Sequence, residues 1–469
     1  MARVQTIVFL SLVLDLFAFT IPLPLFPRII EWYTKREASD PTGFLSQTLH
    51  FVQYLRSFVY DSPVHSERWD VVLLGGLMGS VFSTLQFIVS PFIGSLSDKY
   101  GRKKILLITM IGNIASAIIW IQSTTFASYM LSRVVGGLSE GNVQLAIAIL
   151  SDVSTPAQRS STLAYVGIAF AICFCIGPPI GAYFASASFP HIFSSIELNI
   201  YAVPAALTLV LLLVETAFIY VALPETRGKG LAVETPAGKG KTATGKSTTT
   251  PTRPKTTVEH RLSTLARLRR QHFLFLCLFS GVEFTLTFLT FDLFDWTNKQ
   301  NGALIGSIGI ISALLQGGYV RRAMSKTGEG KMARRGVHAC ALALVLLALL
   351  PNYPPETATR LLQGAAVCLA FTSATVVNAL TAAASLQCDE GKDGKDAVTG
   401  KPVTDEHPDL AKGKALGRFR SRGQLGRAIG PLLACAMYWT FGPTLTYSVC
   451  AVAMFALAIG MRAASKRAL

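Results

Sequence analysis

The chain has 469 residues, 51% hydrophobic and only 15% charged, against about 25% charged in soluble domains. With a mean hydropathy of +0.45, this excludes an ordinary soluble globular protein, and the 38 Gly and 22 Pro follow no collagen-like period of three. The net charge of +16 (43 basic, 27 acidic) fits nucleic acid, anionic lipid or many basic loops on one side of a membrane.

In chain order, apolar runs occur at about 4–27, 71–93, 104–123, 127–151, 160–185, 199–223, 272–294, 302–320, 335–351, 360–386, 413–440 and 443–461. Most are long enough to span a bilayer, which takes ~20 residues. The first lacks a small-residue cleavage site and carries Asp15, so it reads as a retained helix rather than a signal peptide. Placing the N-terminus in the cytoplasm puts there Lys99, Arg102, Lys103 and Lys104 after span two, Arg159 after span four, the 227–270 stretch, Arg321 through Arg335, and the tail with Arg462, Lys466 and Arg467. The long loop at about 28–70 then lies outside. Its Arg28, Lys35, Arg36, Arg56 and Arg68 are balanced by Glu31, Glu37, Asp40, Asp61, Glu67 and Asp70. This asymmetry follows the positive-inside rule, accounts for the net charge without nucleic acid, and sets both termini in the cytoplasm.

The segment 227–258, rich in Lys, Thr, Gly and Pro, breaks the apolar pattern and reads as a disordered cytoplasmic linker. The basic stretch 259–272 has leucines at helical spacing and is expected along the membrane surface ahead of span seven. The division expected is therefore 1–224 for the first six spans, 225–271 for the linker and 272–469 for the last six. A second polar insert lies at about 388–412. Weak echoes link the halves: Gly177-Pro178 in span five with Gly430-Pro431 in span eleven, and Asp15 in span one with Glu283 in span seven. A duplicated six-span unit predicts such matches.

Seven of the eight cysteines lie in or beside apolar stretches and no C-x-x-C pair occurs, which argues against a disulfide framework or a zinc site. Gly240 to Ser247 formally fits the phosphate-loop pattern, but that chemistry needs a preceding strand and a following helix, and both flanks are Thr, Pro and Lys. Neither a catalytic triad nor a metal-ligand cluster stands out, so no enzyme, cofactor or metal is expected.

The strongest local signal lies between spans two and three: Gly94-x-x-x-Asp98-Lys99-x-Gly101-Arg102-Lys103. The glycines permit a tight turn and close helix approach. Asp98 can face the positive end of a neighbouring helix, and Arg102 can pair with a carboxylate at another helix end, with Asp152 a plausible partner. Contacts of this kind could close one conformation at the cytoplasmic rim and break in the other. Charges inside spans are costly and usually face a cavity or a partner. Asp15 and Glu283 lie near mid-span, Arg133, Glu140 and Gln144 can share one face of span four, and Arg427 lies well inside span eleven. Two readings stand side by side: interhelical ion pairing, such as Arg133 with Asp15, or a transport pathway. In the second, Arg133 or Arg427 contacts a substrate anion and Glu140, Glu283 or Asp15 carries a proton. Gly177-Pro178 and Gly426-x-x-x-Gly430-Pro431 are either flexing points or ordinary kinked packing.

The stretch 94–104 resembles the loop 2–3 signature of the major facilitator superfamily. Arg133-Val-Val-Gly-Gly137 resembles the family's R-x-x-x-G, Gly177-Pro178-Pro179-Ile180-Gly181 resembles the G-P-x-x-G-G motif of its antiporter branches, and Leu223-Pro224-Glu225-Thr226 closes span six as in many members. Ala182 replaces the last glycine of the span-five motif. The segments LDLFAFTIPLPLFP, SRVVGGLSEGNV and GRAIGPLLACAMYW look most like the eukaryotic tetracycline transporter-like branch, associated with organic-anion and drug efflux. The resemblance implies an all-α membrane protein with twelve transmembrane helices in two six-helix bundles, working by alternating access. It further implies a proton-coupled transporter of a small organic solute, an organic anion or drug-like molecule; a monomer is expected. The alternatives are a gradient-independent uniporter of a neutral solute such as a sugar, and a non-transporting receptor or scaffold.

Overall fold

The computed structural model describes residues 2–22, 25–57, 66–185, 197–227, 257–296, 298–388 and 407–466. Residues 228–256 of the linker and most of the second polar insert lie outside these residues. All regular elements among them are helical: α1 (Ala2–Thr20), α2 (Phe26–Arg36), α3 (Phe44–Ser57), α4 (Ser66–Tyr100), α5 (Arg102–Ile121), α6 (Phe126–Ser139), α7 (Asn142–Asp152), α8 (Pro156–Phe184) and α9 (Ala202–Ala222) in the first half. The second half holds α10 (Val258–Phe294), α11 (Asn298–Leu314), α12 (Arg321–Thr327), α13 (Glu329–Leu349), α14 (Pro355–Ser385) and α15 (Lys412–Lys466). A π-helical stretch, Leu315–Val320, joins α11 to α12 in one span.

Eleven of these helical stretches are long and apolar enough to cross a membrane. The twelfth span is hidden in α15, where Gly442 has φ 80° and ψ 169° and divides two runs of helix. Pro443 follows; its ring drives the preceding residue away from helix, and glycine tolerates the positive φ. Consecutive spans run antiparallel. The start of α1, the α4–α5 and α12–α13 turns and the start of α15 therefore share one face, here called the terminal face.

Three parts depart from the sequence reading. The stretch 259–272 is not a separate surface helix: it continues unbroken into span seven as the 37-residue α10, since neither Gly nor Pro interrupts 258–280. The outer loop carries two helices, α2 and α3. Span four is discontinuous: α6 stops at Ser139, Glu140 is extended (φ −70°, ψ 98°) and Gly141 precedes α7. Ser139, Gly141 and Asn142 all favour caps over helix interiors, which lets the chain break here. Arg133, Glu140 and Gln144 consequently do not share a continuous helical face.

One large apolar core threads α1, α5, α7, α8 and the second-half helices. A smaller one surrounds Tyr33, Trp120 and Tyr129 and anchors α2 against the far ends of α5 and α6. Tyr33 Oη donates to the Ser123 carbonyl at 2.9 Å and receives the Asn199 amide at 2.7 Å. The outer shell is apolar: Phe92, Ile111, Leu314, Val452 and Ile459 are all exposed. A water-soluble monomer does not carry such a shell, whereas a bilayer covers it.

Candidate functional site

The first part of the site is at the terminal face. The turn between α4 and α5 has room for no cap of its own, because its N-cap residue is Gly101 at φ 100°. An acid from elsewhere supplies the cap. Glu225, just beyond α9, accepts from the Arg102 amide at 2.8 Å and the Lys103 amide at 3.1 Å. A β-carbon on Gly101 would push into that carboxylate. Asp98 does the same for another helix: it accepts from the Gly413 amide at 2.9 Å and the Lys414 amide at 2.7 Å, the free donors at the start of α15.

Arg102 sits between these parts, 2% exposed. Its guanidinium donates to Asp98 at 2.8 Å, Asp152 at 2.9 Å and Ser97 Oγ at 2.6 Å. Lys412 of α15 reaches Asp152 at 3.4 Å and the Ser151 carbonyl at 3.2 Å. Arg159 of α8, fully buried, donates to the Ser385 carbonyl of α14, and Ser385 Oγ donates to Ser151 Oγ at 2.8 Å. First-half and second-half helices are thus tied at this face by buried charge, and each ion has a partner, which offsets its desolvation.

The tie extends along α4 and α15. A β-carbon on Gly94 would run into the Gly413 carbonyl, and one on Gly417 would lie 2.6 Å from the Ser90 carbonyl. Further along, Ser421 Oγ donates to the Phe87 carbonyl at 2.6 Å and Ser80 Oγ to the Ala428 carbonyl at 2.7 Å. Small residues bring the two backbones together, as in other membrane helix pairs. Gly177 approaches Thr20 of α1 in the same way, and Gly430 approaches Cys277 of α10. Pro178 and Pro431 follow within otherwise helical α8 and α15.

The second part is the set of charges within the spans. Asp15 is buried and accepts from Asn142 Nδ2 at 2.6 Å, across the break in span four. Arg133 does not pair with it: its guanidinium lies over the rings of Trp120 (5.7 Å) and Tyr129 (5.5 Å). Gln144 is committed to packing, donating to the Ser90 carbonyl at 3.0 Å. Glu140 stands at the break, under the electrostatic influence of Arg420 from α15. Glu283 and Arg427, on α10 and α15, are both exposed and act on each other's charge. Charges at this depth usually face a protein-lined opening rather than lipid.

Sequence reasoning missed several members. From sequence, Glu225 reads only as part of the end of span six and Arg159 only as a basic residue after span four. Glu215 and Asn142 were passed over, although a lone acid in α9, the span with the highest mean hydropathy at 2.2, is a signal of its own. Aromatic rings cluster in both halves: Phe19 meets Phe82 and Phe174 in the first, and Phe288 meets Phe284 and Trp439 in the second. Among the described residues no group of three or more His, Cys, Asp or Glu could hold a metal ion, and the eight cysteines are free.

Comparisons with known proteins agree with this architecture. A family model described as Major Facilitator Superfamily matches residues 8–400. The chain is 32% identical to the Mus musculus "Major facilitator superfamily domain-containing protein 10" over 97% of this chain and 91% of that protein. It is similar to a solved structure described as the human organic anion transporter MFSD10 (TETRAN), with a TM-score of 0.77 and 30% identity over 98% of this chain and 99% of the other. A shorter match, 32% identical over 27% of this chain and 32% of the relative, is to the class H tetracycline resistance protein of Pasteurella multocida.

Proposed function

The chain belongs to the major facilitator superfamily, and on that premise we propose that this membrane transporter carries a small organic anion or drug-like amphipath by proton-coupled alternating access. The observation that carries the reading is Arg427, a cation exposed at mid-span and under the charge of Glu283, with a cluster of Phe284, Phe288 and Trp439 further along the same two helices. An anionic head pairs with the guanidinium, and the apolar body of the same molecule packs on rings. The similarity to an organic anion transporter supports the same substrate class.

In this reading the terminal face is cytoplasmic, because its loops carry the basic excess. The Asp98–Arg102–Asp152 cluster and the Gly94–Gly413 approach close that side. Opening it breaks Asp98 from the start of α15 and Lys412 from Asp152 together. Substrate bound at Arg427 shifts the equilibrium by its difference in affinity for the two states. Glu283, Asp15 and Glu140 are the proton carriers, since acids at this depth gain from neutralisation when a counter-charge leaves.

Uptake into proteoliposomes, with and without an imposed pH gradient, tests the proposal with labelled organic anions, cationic drugs and sugars. Gradient-dependent movement of an anion or drug is expected. Sugar movement that ignores the gradient overturns it in favour of a uniporter, and failure of folded protein to move any compound favours a receptor.

A further inference from the structure

Glu215 lies on α9 with 0% of its surface exposed. Ser11 Oγ of α1 donates to its Oε1 at 2.8 Å, and among the described residues Oε2 has no partner. Glu215, Ser11 and Asn142 line one small cavity closed by Ile7, Leu12, Leu106 and Leu223, with room for about one water. The cavity lies among α1, α5, α7 and α9, so it is internal to the first bundle and separate from the interface between bundles.

The charges around it are one-sided. Asp15 is one helical turn beyond Ser11 on α1, and it and Glu140 are the charges acting on Glu215. The basic residues of α5 are engaged elsewhere: Arg102 with Asp98 and Asp152, Lys103 over the Tyr220 ring, and Lys104 over the Tyr100 ring. On α8, Cys173 donates to the Val13 carbonyl. The cation of this region, Arg420, belongs to the other bundle and acts on Glu140 and Asp15. Three acids face one borrowed cation, and a buried carboxylate without a counter-charge costs several kcal/mol.

Resting on the proton-coupled reading above, we propose that Glu215, held by Ser11, is a proton-binding site of the first bundle, exchanging with Asp15 through the Asn142-lined cavity. This proton site is then separate from the substrate site at Arg427. The cavity lining runs from Asn142 to Leu223 at the end of α9, toward the terminal face, and in this proposal the proton enters from that side. When the bundles part, Arg420 withdraws from Asp15 and Glu140. The added negative charge draws a proton into the cluster, and the proton moves from solvent to a carboxylate oxygen with no other bond changed.

The test uses full-length protein in liposomes. Infrared pH-difference spectra of the protein without substrate are expected to contain a protonated-carboxyl stretch that is missing in Glu215→Gln and displaced, but present, in Ser11→Ala, where the carboxyl loses one donor. With fluorescein as probe, Glu215→Gln is expected to keep counterflow while its pH-driven accumulation falls by about tenfold or more. A Glu215→Gln spectrum with undiminished carboxyl intensity, or accumulation equal to wild type, overturns the proposal and leaves proton coupling standing. Wild-type protein that ignores the gradient overturns the proton-coupled reading itself, and the spectra then judge Glu215 independently.

Discussion

The two halves of the chain repeat one turn and use it differently. Gly101, between α4 and α5, has φ 100° and ψ 153°; Gly328, between α12 and α13, has φ 84° and ψ 148°. After Gly101 comes Arg102, buried among Asp98, Asp152 and Ser97, with Glu225 capping the helix behind it. After Gly328 comes Glu329, which accepts from Ser160 Oγ at 2.5 Å, and a β-carbon on Gly328 would meet open space. Seven residues before the first turn is Gly94, against the backbone of α15; the corresponding place in the second half holds exposed Arg321, over the Tyr165 ring at 4.9 Å. Duplication preserves the backbone path because glycine alone makes that φ inexpensive. Among the described residues a buried charge cluster is seen at the first turn, and in the proposed mechanism closure of the terminal face rests more on that turn than on the second.

The largest effect is expected from Arg102→Ala. It removes the guanidinium shared by nearly buried Asp98 and Asp152, leaving Asp98 only helix amides and Asp152 only the longer Lys412 contact, at a cost of about 3–5 kcal/mol. Thermal unfolding of the purified protein should drop accordingly and transport should be lost, whereas Glu329→Ala should leave both near wild type. Equal losses from the two variants would dissolve the asymmetry.

Gly94→Val comes next. Its side chain must displace the Gly413 backbone, and overpacking of this kind costs about 1–3 kcal/mol. The expected outcome is a terminal face held open, read as faster alkylation of a cysteine placed at Ser421. Arg321→Ala, at the equivalent distance before the other turn, gives up a surface cation–π contact worth about 0.5–1 kcal/mol and should not change that labelling.

The turns themselves can be compared directly. Gly101→Ala combines about 1–2 kcal/mol of left-handed strain with displacement of Glu225 from two helix amides. Gly328→Ala carries the strain alone, so the first variant should melt lower than the second. The smallest effect belongs to Ser160→Ala, which removes one hydrogen bond to a half-buried acid, about 0.5–1.5 kcal/mol. A Ser160→Ala loss larger than that of Gly101→Ala would mean the second turn carries more of the closure than its exposed surroundings indicate.

The spans were legible because ~20 consecutive apolar residues have few other uses, and the Gly94–Lys103 pattern stood out because its glycines and charges occur together in a short loop. Arg102 with Asp152 was readable as a pair of opposite charges at two helix ends on one face. The partners of the remaining charges were not. Asp15 meets Asn142 at the point where span four breaks between Glu140 and Asn142, and Arg133 lies over Tyr129, one turn earlier on α6, and over Trp120 of α5. Helical spacing alone, applied across that break, gave the wrong face for Gln144. The continuous α10 was misjudged because basic composition reports where a segment meets polar surroundings, and says little about whether its helix bends.

What the sequence determined by itself is therefore local and compositional: an integral membrane protein of twelve apolar spans, a glycine turn with its charges, and the positions where charge enters a span. These follow from the cost of polar groups in hydrocarbon, which acts on each segment separately. The tertiary structure alone decided which acid caps which helix, that Glu225 and Asp98 serve helices far from them in sequence, and that Glu215 faces a cavity which, among the described residues, no cation of its own bundle lines. Such pairings depend on distances between helices that close packing sets, and the linear order of residues does not contain them.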